Sequence, residues 1–141
     1  LKAMERIAQL MSRIQENPED VQALSEVARL FMSMQSFEQA ARFWERVLRV
    51  RPDQAAARQR LAMCYFQLDR HQDAAGELRR VLELDPDNAY AHYNLGVLLT
   101  RYLDRQEEGR NHFRHVLDIE EADAELKERA RRELSQSPSS E

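Results

Sequence analysis

Apolar residues recur along the chain at steps of three and four. Val27 and Phe31 are four residues apart, and Ala40, Trp44 and Val47 continue with steps of four and three. These steps place side chains on one face of an α-helix. Val, Ile and Thr are too scarce among the 141 residues to build a sheet of several strands. The pattern therefore predicts an all-α protein.

Three prolines mark an internal period. Pro18, Pro52 and Pro86 follow one another at intervals of 34 residues, and self-similarity at a fixed period of this size is typical of repeat proteins. Proline ends a helix because it lacks the N–H donor and restricts the residue before it. An Asp or Asn that follows can cap the next helix. The period predicts one helical hairpin per repeat.

Alignment on this period brings similar residues into the same columns, provided that the third repeat has one extra residue near Tyr102. Small residues occupy two columns, where they let the two helices of a hairpin approach closely. Large apolar residues occupy the columns expected to form the core. The small columns are Ala28, Ala62, Gly96 and Ala40, Ala74, Gly109; the large ones include Val27, Leu61, Leu95; Trp44, Leu78, Phe113; and Val47, Val81, Val116.

These columns resemble the tetratricopeptide repeat family, whose motif places an aromatic, Leu-Gly, Tyr, Ala, Phe and Pro within 34 residues. The first aromatic is replaced by Leu24, Arg58 and His92, and the last proline by Glu121. The resemblance implies a right-handed α-solenoid of antiparallel helix hairpins. The expected parts are an N-terminal helix within 1–20 (a degenerate half-repeat or cap), repeats at 21–54, 55–88 and 89–122, a capping helix at 123–134 and a disordered tail at 135–141.

The expected capping helix has one narrow apolar stripe. Ala122, Leu126, Ala130 and Leu134 recur every four residues between Glu and Arg. Open ends of repeat arrays need such a helix, with one apolar side on the last repeat and a solvated outer side.

The resemblance implies that the first helix of each repeat lines a concave face. That face would carry guanidinium and amide groups beside apolar surface, which suits a partner peptide or helix with acidic or C-terminal carboxylate groups. The alternative, in which Met63 and Phe66 pack against neighbouring helices and the arginines are merely solvated, stays open. The expected peptide-binding residues are Arg29, Gln59, Arg60, Met63, Phe66, Tyr90, Tyr93, Asn94 and Arg101.

The net charge of −4 argues against general binding of nucleic acid. No stretch approaches the ~20 apolar residues that cross a bilayer. The cellular location stays open between the cytoplasm and a periplasmic or membrane-anchored site, the latter if a segment before Leu1 carries an anchor. We expect a monomer or a weak homodimer.

Two further functions stay open beside that of an interaction scaffold. The run from Gln15 to Asp20, entered from a helix, resembles the start of the repeat domains that serve bacterial c-type cytochrome assembly, whether periplasmic or membrane-anchored. A self-assembling structural repeat protein is the other.

Catalytic and metal chemistry find little support. Glu108, His112 and His115 lie at steps of four and three, and one carboxylate with two imidazoles can hold a metal. Their helix is expected to be convex and solvated, so we predict no metal and no cofactor. Cys64 is interpreted as a small buried filler. No nucleophile, base and orienting acid converge, so we predict that the protein is not an enzyme.

Overall fold

The computed structural model describes residues 1–136, which form eight α-helices and no strand. The predicted all-α class is confirmed. The helices are α1 (Lys2–Glu16), α2 (Val21–Ser33), α3 (Phe37–Val50), α4 (Ala55–Gln67), α5 (His71–Leu84), α6 (Ala89–Arg101), α7 (Gln106–Asp118) and α8 (Ala124–Ser135). None of these helices has both the length and the apolar character that a bilayer crossing requires. The predicted disordered tail at 135–141 begins too early, because Ser135 is the last residue of α8. Residues 137–141 of that tail lie outside the described residues.

The chain divides into two compact halves, Leu1–Arg70 and His71–Glu141. In the first half, α2 packs against α1 and α3, and α3 packs against α4. In the second half, α6 packs against α5 and α7, and α8 packs mainly on α7 and also touches α6.

The core of each half is built from the predicted apolar columns. Trp44, with 2% of its surface exposed, fills the first half, and Phe113, with 1%, fills the second. Ala28 and Ala40 are fully buried in the first half. In the second half a Cβ on Gly96 would lie 2.7 Å from Phe113 Cε1 and 3.0 Å from the carbonyl oxygen of Gly109. The small columns therefore do permit close helix approach.

The turns that follow α2, α4 and α6 each contain one residue with a left-handed backbone. These residues are Gln35 (φ 60°), Asp69 (φ 59°) and Asp104 (φ 53°). The first two are 34 residues apart, whereas Asp104 comes 35 residues after Asp69. The extra residue of the third repeat therefore lies in or next to its hairpin turn, as the alignment near Tyr102 predicts.

Side-chain caps begin some helices but not all. Asp20 accepts a hydrogen bond from the Ala23 N–H at 3.0 Å, and Asn88 accepts one from Ala91 at 3.0 Å. The N-cap of α4 is Gln54, whose side chain makes no capping bond. At the other end of the chain α8 begins at Ala124, so Ala122 lies in the preceding turn and not on the apolar stripe of the capping helix. Leu126 and Ala130 are buried as predicted.

Candidate functional site

The α4 surface, defined here as Gln59, Arg60, Met63 and Phe66, lies in the first half. Gln59, Met63 and Phe66 share one side of the helix because they are four and three residues apart. Met63 is 54% exposed, Arg60 is exposed, and the other two are half-buried. The guanidinium of Arg60 lies 5.8 Å from the centre of the Trp44 ring. The positively charged Arg60 thus lies next to the exposed thioether of Met63 on one short stretch of α4.

Arg29 lies on α2 in the same half and is exposed. The neighbouring carboxylate, Glu26, is already paired with Arg6 of α1. Arg6 donates two hydrogen bonds to it, Nε to Oε2 at 2.8 Å and Nη2 to Oε1 at 3.1 Å. These bonds lower the pKa of Glu26, with a smaller contribution from the charge of Arg29. Neither Arg29 nor Arg60 forms an ion pair with a described residue of the chain.

The α6 surface, defined here as Tyr90, Tyr93, Asn94 and Arg101, lies in the second half, where α8 and the turn before it contact three of its four members. The Tyr90 hydroxyl donates to Asp123 at 3.3 Å. Tyr93 is half-buried and its ring lies 5.6 Å from that of Phe113. Burial raises the pKa of the Tyr93 phenol, and the charge of Glu133 adds to the effect. Asn94 is exposed.

Arg101, the third contacted member, forms an ion pair with Glu133 of α8, whose side chain is only 7% exposed. Glu133 therefore lies on the packed side of α8 and does not belong to the solvated outer side predicted for this helix. The sequence spacing could have predicted this burial, because Leu126, Ala130 and Glu133 follow the four- and three-residue steps of one helix face. Arg101 is therefore already bound to a carboxylate of its own chain, unlike Arg29 and Arg60.

Three histidines of the second half form a cluster that sequence reasoning missed. His92 Nδ1 lies 2.9 Å from His112 Nδ1. The His115 ring stacks on that of His92 with centres 4.0 Å apart, and its Nε2 is 3.4 Å from Asp87 Oδ1. The expectation that this side of α7 is convex and solvated is wrong for His112, which is half-buried against α6. Spacing along one helix could not identify His92 as part of the cluster, because His92 lies on α6 whereas His112 and His115 lie on α7.

The three residues weighed as metal ligands, Glu108, His112 and His115, do not form a metal site. Glu108 accepts a hydrogen bond from Arg79 Nη2 at 2.9 Å and lies 3.6 Å from Arg105. The bond from Arg79 lowers the pKa of Glu108. Across residues 1–136 no group of three His, Cys, Asp or Glu side chains is placed to hold a metal ion.

The column that departs from the family motif has a structural role at two of its three positions. Arg58 donates to the Pro52 carbonyl through Nε at 3.0 Å and Nη2 at 2.8 Å. His92 Nε2 lies 2.7 Å from the Pro86 carbonyl. Both side chains tie down the proline turn six residues before them. Leu24, which has no donor, cannot do so.

Cys64 and Trp44 behave as buried filler and core, as predicted. Cys64 is fully buried, and burial raises the pKa of its thiol to about 11. Since the thiolate is the nucleophilic form, this cysteine is poorly suited to nucleophilic chemistry at neutral pH.

Comparison with protein families matches two tetratricopeptide repeat models, one over residues 25–89 and one over residues 77–111. The chain belongs to the tetratricopeptide repeat family. Proteins of this family are generally non-catalytic and bind protein partners. The tetratricopeptide repeats of this chain therefore support a general role as a protein-interaction scaffold.

Solved structures of MamA share the fold. A MamA crystal structure superposes with a TM-score of 0.76 at 19% identity, covering 81% of this chain and 66% of that one. MamA from residue 41 to its end, from Desulfovibrio magneticus RS-1, gives 0.76 at 18%, covering 84% and 67%. A second MamA crystal structure gives 0.75 at 19%, covering 80% and 61%. The chain thus spans about two thirds or less of the length of these chains. No curated protein matches the sequence.

Proposed function

We propose that the protein is a non-catalytic scaffold that binds a partner peptide or helix through the α4 surface together with Arg29. The single observation that carries this choice is which of the candidate arginines already form an ion pair. Arg29 and Arg60 are exposed and have no ion pair among the described residues, whereas Arg101 is paired with Glu133. Unpaired guanidinium groups are available for carboxylates of a partner, which they bind through two parallel hydrogen bonds.

The apolar part of the surface supports the same proposal. Met63 exposes 54% of its area beside Arg60, and a flexible thioether can adapt to differently shaped partner side chains. A partner with acidic residues or a free C-terminal carboxylate next to an apolar side chain would satisfy both groups. Tyr90, Tyr93 and Asn94 of the α6 surface are proposed as a separate contact for a partner on the second half.

A peptide array tests the proposal with defined probes. Each probe is an acidic peptide with a C-terminal Leu or Met, made once with a free carboxylate and once as the amide. We expect preferential binding of the free acids, with the affinity of the best probe falling at least about tenfold in Arg60→Glu, because a charge-assisted hydrogen bond contributes roughly 1.5–3 kcal/mol. Isothermal titration calorimetry measures the change.

Arg42→Glu is the matched control. It makes the same charge change on α3, where Arg42 is 71% exposed and lies two residues from buried Trp44, on the opposite side of the helix. Its affinity for the best probe should equal that of the unchanged protein. Equal affinities in Arg60→Glu and Arg29→Glu as well would remove the α4 surface and Arg29 from the proposed site.

A further inference from the structure

The histidine cluster of the second half has a defined hydrogen-bond order. A carbonyl oxygen can only accept, so His92 must carry its proton on Nε2, which faces Pro86 O at 2.7 Å. The Nδ1 of neutral His92 is then an acceptor. His112 Nδ1, 2.9 Å away, must be the donor in that bond. The chain of bonds runs from His112 to His92 to the carbonyl of Pro86, with both rings neutral.

His112 can take a proton on Nε2 and still donate from Nδ1, but a proton on His92 does not fit this order without breaking a contact. If His92 gains a proton on Nδ1, two N–H groups face each other unless His112 gives up its own Nδ1 proton. If both rings are charged, they repel each other across 2.9 Å. His115 adds to the constraint, because its ring lies flat on His92 at 4.0 Å, so a charge on either ring disfavours a charge on the other.

We propose that His92, His112 and His115 form a pH-sensitive contact that joins α6, α7 and the Pro86 turn when the rings are neutral and loosens when more than one of them is protonated. The contact involves two helices and the turn that precedes one of them. Loosening would separate α7 from α6 at this contact and would weaken the hydrogen bond from His92 to the Pro86 carbonyl.

The charged groups around the cluster do not cancel the effect. From the turn, Asp87 favours protonation of His92, but its side chain is 79% exposed and water screens it. From α7, Glu108 favours protonation of His112, but Arg79 of α5 and Arg105 already pair with that carboxylate. Arg79 itself disfavours a charge on His112.

The direction of the pH effect follows from burial. Burial, helped by the neighbouring imidazoles, lowers the pKa of His112 from its ordinary 6.5 to about 4, and burial also lowers the pKa of His92. A histidine whose pKa is lower in the folded than in the unfolded chain stabilises the fold fully above the unfolded pKa. That stability is lost as the pH falls from 6.5 towards 4. The effect of His112 alone is about a tenfold loss in the folding equilibrium constant between pH 8 and pH 5.5.

Nuclear magnetic resonance tests the proposal on the full chain without any substitution. The imidazole carbon-bound protons are followed from pH 8 to pH 4 in buffer with EDTA, so that stray metal ions do not contribute. We expect His112 to titrate at least one pH unit below the ordinary imidazole value of 6.5, or to titrate only together with unfolding. An ordinary value near 6.5 for His112 in the folded protein would refute the proposal.

Urea unfolding of variants supplies the second test. His112→Asn keeps an N–H donor near the position of the imidazole Nδ1 but cannot titrate. We expect the loss of folding constant between pH 8 and pH 5.5 to be about tenfold smaller than in the unchanged protein. His71→Asn is the control and should keep the original loss. The same loss in all three proteins would overturn the proposal, and if His112→Asn does not fold, the titration of the unchanged chain decides.

Discussion

The turns at Pro52 and Pro86 stand at the same place in successive repeats but are held by different chemistry. Arg58 ties the first carbonyl and His92 ties the second. A guanidinium keeps its charge at every accessible pH, whereas an imidazole changes protonation near neutrality. The comparison shows that one repeat architecture can carry a permanent tie in one half and a titratable tie in the other.

The hairpins of the two halves also differ in their small residues. The α2–α3 pair carries buried Ala28 and Ala40, and the α6–α7 pair has Gly96 in contact with Gly109. The glycines allow Phe113 and the facing backbone to approach into the space that a methyl group would occupy. The second hairpin therefore requires glycine at these two positions, and a larger residue at either one would strain the packing of α6 against α7.

The largest effect on stability is expected when Gly96 is replaced by alanine, the residue found at the equivalent position, Ala28, of the first hairpin. In Gly96→Ala the new methyl would lie 2.7 Å from Phe113 Cε1, and we expect a loss of about 2 kcal/mol in the free energy of unfolding, typical of overpacking. Urea denaturation at pH 8 measures it. Gly76→Ala is the control, because no atom lies within 4 Å of its new Cβ and a helical alanine gains up to about 1 kcal/mol over glycine. Equal stability of Gly96→Ala and the unchanged protein would contradict the close packing.

A smaller effect separates the two candidate binding surfaces. Tyr93→Ala removes a ring that packs on Phe113 at 5.6 Å, so we expect a loss of about 1.5 kcal/mol from the aromatic contact. Met63→Ala removes a side chain that is 54% exposed, so we expect less than about 0.5 kcal/mol. Thermal and urea unfolding of both variants provide the comparison. Similar losses in the two variants would show that the α4 surface is as tightly packed as the α6 surface.

The last comparison concerns the permanent tie, the Arg58 side chain. Arg58→Met keeps the length of the side chain but removes both hydrogen bonds to the Pro52 carbonyl. We expect a loss of about 1.5 kcal/mol, the lower end of the range for hydrogen bonds to a charged group. The difference from the unchanged protein should be the same at pH 5.5 and pH 8, because a guanidinium does not titrate there. A loss that depends on pH would mean that the first turn is also titratable.

Much of the fold could be predicted from the sequence, and less of the candidate site. The core positions of Trp44 and Phe113 follow from the repeat columns and from helical spacing. The exposure of Arg60 and Met63 agrees with the predicted surface, but the engagement of Tyr93 and Arg101 by other parts of the second half was not foreseen. A peptide-binding role for these residues remains a prediction.

The sequence alone determined the elements and their period, because helix formation and helix ends depend on residues within one or two turns of each other. Only the tertiary structure decided which side chains meet. Glu133 pairs with Arg101 from 32 residues away, and His112 meets His92 from 20 residues away. Such contacts depend on how far each helix is rotated about its axis against its neighbour. Local spacing does not specify that rotation, since it arises from the packing of all the side chains between the helices.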